Sequence, residues 1–527
     1  MNQDLTLYDT TLRDGSQAEG IHFSASDKLH IAEKLAAFGM DYIEGGFPGS
    51  NLKDMEFFQQ ARHVNWGSCK ITAFGSTRFP EAPVESDPNV VSLLKAETPA
   101  VTFVGKSSYD HVTDVLRTTP DENLHMIEDT AAFLKKNDRE VIYDAEHFFD
   151  GFYAHRAYTL SCLKAALDAG ADYVVLCDTN GGRLPQEIAD ATRAAVDAVT
   201  GSHCKVGIHT HNDCGLGVAN ALAALDAGAA QVQGTINGYG ERTGNCNLTT
   251  VIPILELKSG RQVLPDGHLA QLSEVSRFVD EVANQAHDMR APFVGPTSFA
   301  HKGGMHANAV TKSSNSYEHI EPALVGNQRR VLVGELASRS NIMLKAEEFG
   351  LSVHDKSPAA RAILDRIKQL ESSGYEFEAA DASLELLIQR ELGKYQPWFE
   401  LDEYHVSMRK NNIHGFTNCE ATVKIKVDGD VIHTVANGDG PVNALDNSMR
   451  QALKQKFPEI SEMRLVDYKV RIVNSATGTA SRIRVLIEST DGEHEWGTVG
   501  VSDNVIEASW LALTDSVAYF LNLRHQS

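Results

Sequence analysis

Two clusters in this chain hold the residue types that grip a divalent cation. Near the start stands Asp9-Thr10-Thr11-Leu12-Arg13-Asp14-Gly15-Ser16-Gln17, and far downstream His209-Thr210-His211-Asn212-Asp213. Alternate side chains of an extended strand share a face, so His209 and His211 project together. Two imidazoles and the Asp14 carboxylate form a facial set that leaves coordination positions open. A 2-oxo acid can fill two of them, and the cation then polarises its keto carbon toward a nucleophile. Asn245, in Gly240-Glu241-Arg242-Thr243-Gly244-Asn245, is a candidate fourth protein ligand. Oxygen and imidazole donors suit Mg²⁺ or Mn²⁺, with Zn²⁺ or Co²⁺ also compatible. Each residue also has a plainer use. An His-x-His pair can be a satisfied structural pair, Asp14 a cap, Asn245 a loop residue and Arg13 half of a surface ion pair. The coincidence of all of them at strand ends favours the metal reading.

Four more residues fall at predicted strand ends. Arg13 would place a fixed guanidinium beside the cation, where it stabilises a developing oxyanion. Glu146 and Thr179 offer a carboxylate and a hydroxyl, a sensible arrangement for removing a weakly acidic C–H proton. Glu44 has two roles open to it: contact with a second substrate, or holding Arg13.

The elements that must position these groups recur through the first 250 residues. Strand patterns lie at Leu5–Leu12, Tyr42–Phe47, Lys70–Phe74, Ala100–Val104, Glu140–Asp144, Tyr173–Cys177, Lys205–His209 and Gln231–Ile236. They are spaced by roughly 30 residues, the length of a βα unit. Amphipathic stretches such as Asp27–Phe38 fill the gaps, with Gly39 as a stop. Eight alternations predict an α/β fold, a closed (β/α)8 TIM barrel whose chemistry sits at the C-terminal ends of its strands. The expected divisions are a barrel over 1–285, a small helical subdomain over 286–400 and an α+β domain over 401–527. Helices are expected at Ser273–Ala286, Arg361–Leu370 and Ser383–Leu392.

The last division contains an internal pseudo-repeat. Thr434-Val435-Ala436 is echoed by Thr498-Val499-Gly500, and Asn443-Ala444 by Glu507-Ala508, both at an offset of 64 positions. Strand patterns at Ala421–Val427 and Ser481–Glu488 each lead through a second strand into a helix. Two matching helix N-termini would suit a small zwitterion or carboxylate.

Composition narrows the classes. A formal net charge of −23 over 527 residues repels phosphate backbones and anionic lipid, so no nucleic-acid or membrane partner is expected. Seven scattered cysteines without a Cys-x-x-Cys pair fit reduced thiols in a cytoplasmic protein. No signal peptide and no membrane-spanning segment is expected.

The segments at 9–17, 209–213 and 240–245 resemble the DRE-TIM metallolyase superfamily. The likeness runs through the helical region into a tail similar to the regulatory domain of 2-isopropylmalate synthases, which sets aside the lyase and carboxyltransferase branches. Tyr42-Ile43-Glu44-Gly45-Gly46-Phe47-Pro48-Gly49-Ser50-Asn51 and Tyr143-Asp144-Ala145-Glu146-His147-Phe148-Phe149-Asp150-Gly151 resemble the (R)-citramalate synthase family. Isopropylmalate and homocitrate synthases usually carry Ser-x-Glu-Asp where this chain has Asp144-Ala145-Glu146-His147.

The resemblance implies condensation of acetyl-CoA with pyruvate in isoleucine biosynthesis. Asp14, His209 and His211 would hold the metal, Arg13 would stabilise charge, and Glu146 and Thr179 would supply the base and its supporting hydroxyl. It also implies roles for His306 and Tyr317 in deprotonation or thioester hydrolysis, delivered across a homodimer; their plainer uses are a helix cap and core packing. The tail resembles an isoleucine or leucine feedback site, with Gly438, Gly440, Ala476 and Gly478 in its loops and isoleucine the effector by pathway logic. Those glycines can equally be turn formers. Competing readings are a synthase for another 2-oxo acid (2-isopropylmalate or homocitrate synthase), a non-catalytic amino-acid sensor, and an unrelated TIM-barrel metal hydrolase. The last commonly carries His-x-His on its first strand, not its seventh.

Overall fold

The computed structural model describes residues 5–303, 306, 309–310, 312–313, 316–334, 338–353, 357–411, 416–473 and 481–525. It divides into two compact units, residues 1–299 with 320–328, and residues 300–319 with 329–527.

The first unit is a closed barrel of eight parallel strands: β1 Thr6–Asp9, β2 Tyr42–Gly46, β3 Lys70–Ser76, β4 Ala100–Lys106, β5 Glu140–Glu146, β6 Tyr173–Asp178, β7 Lys205–Thr210 and β8 Gln231–Gly234. The ring closes through Thr6↔Gln231 to Asp9↔Gly234. Every residue of β6 is buried, as expected of strands covered on both faces. The floor of the barrel is packed with Tyr8, Tyr42, Ile142, Tyr173 and Val175. It is a filled core rather than a channel.

Local chemistry explains where the elements begin and end. Ser24 and Asp27 form a reciprocal capping box that starts the first helix, α1 Ala25–Phe38, earlier than the apolar period alone indicates. Gly39 ends it at φ 115°, where a Cβ would sit 2.5 Å from Pro265. Strand β1 is shorter than its pattern. The Asp9 carboxylate accepts from Thr11 N at 2.9 Å and from the Thr11 hydroxyl at 2.8 Å, which turns the chain. Arg13 and Asp14 therefore lie on the loop after β1 rather than on the strand. Strands β3 to β7 run one or two residues beyond their expected ends, because barrel pairing continues past the apolar run.

The second unit holds helices Arg339–Glu348, Pro358–Ser372 and Asp381–Glu391, followed by two copies of a three-strand-plus-helix motif. The first is Glu400–Asn411, Phe416–Val427, Asp430–Gly438 and helix Pro441–Leu453. The second is Arg464–Ile472, Ile483–Thr490, Glu495–Ser502 and helix Val505–His525. The 64-residue offset survives in the contacts. Thr434 Oγ1 donates to Ser448 O at 2.8 Å, and Thr498 Oγ1 to Ala512 O at 2.9 Å. The border expected near residue 400 lies inside this unit. Arg390 pairs with Asp515 at 2.8 Å, and Val499 N donates to the Ser383 hydroxyl at 3.0 Å. Leu384 and Ile388 share a core with Val499. Residues 286–299 belong with the barrel unit.

Candidate metal centre at the barrel mouth

Asp14, His209 and His211 converge. Each offers one donor atom, all of these lie within 4.8 Å of one another, and all three residues are buried. His209 Nε2 is 3.2 Å and His211 Nε2 4.0 Å from Asp14 Oδ2. His209 is the penultimate residue of β7, and His211 follows the strand in an isolated bridge with Asn245. Their alternation delivers both rings to one side, with centroids 5.2 Å apart.

The electrostatics favour a cation. Burial alone would raise the Asp14 carboxyl, but Arg13 and the two histidines hold it well below the ordinary carboxylate range. Burial, then the neighbouring His209, pull the His211 imidazole down to about 4, so it stands neutral with a lone pair to give. Asn245 Oδ1 and His211 Nδ1 are buried without a hydrogen-bond partner among the described residues. An orphaned carbonyl oxygen beside two imidazoles and a carboxylate fits a cation that would satisfy it. Asn245 is aimed by its amide, which donates to Tyr239 O at 3.0 Å. Gly240 leaves it room, since a Cβ there would fall 2.2 Å from Asn245 Nδ2.

Arg13 sits against this cluster. Its Nε donates to Glu44 Oε2 at 2.6 Å, one terminal nitrogen is 3.4 Å from Asp14 Oδ1, and the guanidinium lies 3.7 Å over the Phe74 ring. Glu44 is fully buried and also accepts from the Tyr8 hydroxyl at 2.7 Å and the Thr10 hydroxyl at 2.5 Å. Of the two roles open to Glu44, its burial and pairing fit the holding of Arg13.

Glu146 ends β5 and pairs with the Lys106 ammonium at the end of β4, where the two residues are in register. Both remain about a quarter exposed, with side-chain accessibilities of 26% and 23%. The apolar pattern ends β4 at Val104 and leaves Lys106 outside it; pairing with β5 continues two residues further and brings Lys106 opposite Glu146. Thr179 follows β6, and its hydroxyl accepts from His147 N at 2.9 Å. Arg242 grips Asp213 with two bonds of 2.8 and 2.9 Å and Thr179 O at 2.8 Å, tying the loops after β6, β7 and β8 together.

The remaining candidates belong to the second unit. His306 and Tyr317 stack with centroids 4.1 Å apart, and both are exposed, so neither is a core residue. Gly438 ends a strand, where a Cβ would meet Ala444 N at 2.3 Å, and Gly440 caps helix Pro441–Leu453. Ala476 and Gly478 lie outside the described residues.

Residues 4–279 match the HMGL-like family model, 293–374 the homocitrate synthase post-HMGL domain-like model and 378–521 the LeuA allosteric (dimerisation) domain. An (R)-citramalate synthase of Aquifex aeolicus is 53% identical over 99% of this chain and 98% of its own length. One of Geobacter sulfurreducens is 49% identical over 98% and 97%. A probable 2-isopropylmalate synthase of Methanopyrus kandleri is 30% identical over 98% of each. This chain belongs to the (R)-citramalate synthase family, within the 2-isopropylmalate and homocitrate synthases that share the HMGL-like barrel.

Proposed function

We propose that the protein condenses acetyl-CoA with pyruvate and water, giving (R)-citramalate and CoA, on a divalent cation held at the barrel mouth. Full-length likeness to (R)-citramalate synthases carries the choice of substrates. Asp14, His209 and His211 would hold the cation, with Asn245 as a fourth donor. Mg²⁺ or Mn²⁺ suits this oxygen-and-imidazole set. When bound, the cation polarises the keto group of a 2-oxo acid.

The chain's own residues supply the rest. Arg13, locked by Glu44 and Phe74, points its free N–H groups at an oxyanion without reorganising. Glu146 takes a proton from the acetyl methyl group, and Lys106 balances its charge. Thr179 fixes the backbone of His147, next to Glu146. His306 and Tyr317 serve proton transfer or thioester hydrolysis in a second copy's barrel; their exposure suits groups that act outside their own unit. A homodimer also suits the outer faces of the C-terminal sheets, where Met408, Val435, Val470 and Ile472 are exposed. Isoleucine is the proposed effector, bound by the loops of the repeated motif, Gly438 and Gly440 among them. The catalytic part is the unit of residues 1–299 with 320–328, and the linking and regulatory parts share the second unit.

Thiol release by purified protein across a panel of 2-oxo acids tests this reading. Pyruvate should dominate, and isoleucine should suppress the rate. Dominant turnover with 2-oxoisovalerate or 2-oxoglutarate would overturn the substrate choice. Isoleucine binding without CoA release from any 2-oxo acid would make the protein a sensor.

A further inference from the structure

His209 has two ring nitrogens and only one can serve a cation. Its Nε2 faces Asp14, and its Nδ1 lies 2.9 Å from Gln233 Oε1. Gln233 is the neighbour of His209 in barrel register, and both side chains are buried. An amide can present either its oxygen or its nitrogen, with opposite consequences. An oxygen facing Nδ1 requires a proton there and leaves the Nε2 lone pair free. An NH₂ facing Nδ1 takes that lone pair instead and puts the proton on Nε2, where it would repel a cation.

A neighbouring acid fixes the amide. Gln233 Nε2 donates to Asp144 Oδ1 at 3.2 Å, reached from β5 across the barrel interior. Burial raises the Asp144 carboxyl to about 7, and above that pH the ionised carboxylate only accepts, so it draws the NH₂ end toward β5 and turns Oε1 toward His209. Gln233 Nε2 also lies 3.4 Å from Gln231 Oε1, a second acceptor on the same side. The mechanism above uses neither Asp144 nor Gln233, yet both are buried polar groups with 3% and 1% of their surface exposed. Burying them is costly unless they are bonded.

We propose that Asp144 and Gln233 form a positioning relay that holds His209 in the Nδ1–H tautomer, with its Nε2 lone pair aimed at the cation site. Neither residue touches substrate. The relay rests on the cation site proposed for Asp14, His209 and His211. It also gives Asp144 a task separate from the base Glu146.

The test is direct titration of the metal-free, full-length protein with Mn²⁺ alone, read by calorimetry or by competition with a chelating dye. Gln233→Met keeps the volume and removes both polar ends, and should weaken Mn²⁺ binding about 10- to 100-fold. Asp144→Leu should weaken it similarly. Asp144→Asn, whose amide oxygen still accepts from Gln233, should stay within about threefold of wild type, because the bond rather than the charge is what counts. Because the two residues act in series, the Gln233→Met, Asp144→Leu double variant should bind no more weakly than Gln233→Met alone. Circular dichroism and melting curves confirm that each variant is folded. Unchanged Mn²⁺ affinity in folded Gln233→Met overturns the relay. So do multiplying effects in the double variant, or an Asp144→Asn as weak as Asp144→Leu. Failure of the wild-type protein itself to bind Mn²⁺ would instead remove the cation site, which separates the two failures.

Discussion

At the barrel mouth the polar side chains are buried and aimed at one another. Asp14, Glu44, His209, His211 and Asn245 are each at most 8% exposed, and their bonds cross between strands distant in sequence. Among the described residues of 400–525 the buried polar groups are neutral, as at Thr434, Ser448 and Thr498, and are set in a core of Ala421, Val423, Ile425, Leu445 and Leu513. The mouth has no internal symmetry, whereas the tail builds one motif twice. A region that commits buried charge to one point is made for chemistry. A region that repeats a neutral scaffold is made to present two similar surfaces.

The sharpest way to break this contrast is at Asp14. Asp14→Ala should lower kcat by about 10³-fold or more while the barrel stays folded. Retained turnover after exhaustive chelation would contradict it. Arg13→Lys keeps the charge but loses the planar fork gripped by Glu44 and stacked on Phe74. It should cost about 10²-fold in kcat, measured by CoA release under saturating substrate. A fully active Arg13→Lys would reduce Arg13 to a structural cation.

In the tail the effects should fall on regulation and stability. Gly438→Val drives a side chain against the Ala444 backbone. It should raise the isoleucine concentration for half-inhibition by about tenfold, within the usual range of coupling between sites. An unchanged isoleucine response would detach this loop from the effector. Smaller still are the matched threonines. Thr434→Val and Thr498→Val each remove one hydroxyl bond to a helix carbonyl and should each cost about 1 kcal/mol in denaturant melts. Clearly unequal losses would show that the two copies carry different loads.

The repeat was legible because offset residues kept their identity, and the barrel because eight βα periods ran without interruption. The convergence of Asp14, His209 and His211 was legible too, since strand alternation and strand ends are local rules. What escaped were groups set by neighbours across strands. Lys106 meets Glu146 only because two strands end in register; for Glu44, holding Arg13 is one of two roles open in the sequence, and only its burial under that guanidinium favours it. Gln233 carries no chemical signature by itself; only its place beside His209 gives it meaning. The border near residue 400 was drawn from a change in pattern, but packing of Leu384 and Ile388 against Val499 ignores that change.

A last and smallest expectation concerns pH. Burial raises the Asp9 carboxyl from its ordinary 3.8 to about 7, despite two bonds from Thr11. The fold therefore favours neutral Asp9. That contribution is complete below the unfolded pKa and is lost as pH rises through about 7. Asp9→Asn should melt with a Tm that falls less between pH 4 and 7 than that of the wild-type protein, by a few degrees at most. Parallel Tm profiles would place the titration elsewhere.

The central claim is one cation shared by Asp14, His209 and His211. It is tested most directly by metal analysis of the purified full-length protein and its Asp14→Ala and His209→Ala variants after equilibration with Mn²⁺ and gel filtration. The wild-type protein should retain one equivalent per chain and each variant essentially none. A full equivalent retained by either folded variant would contradict the account.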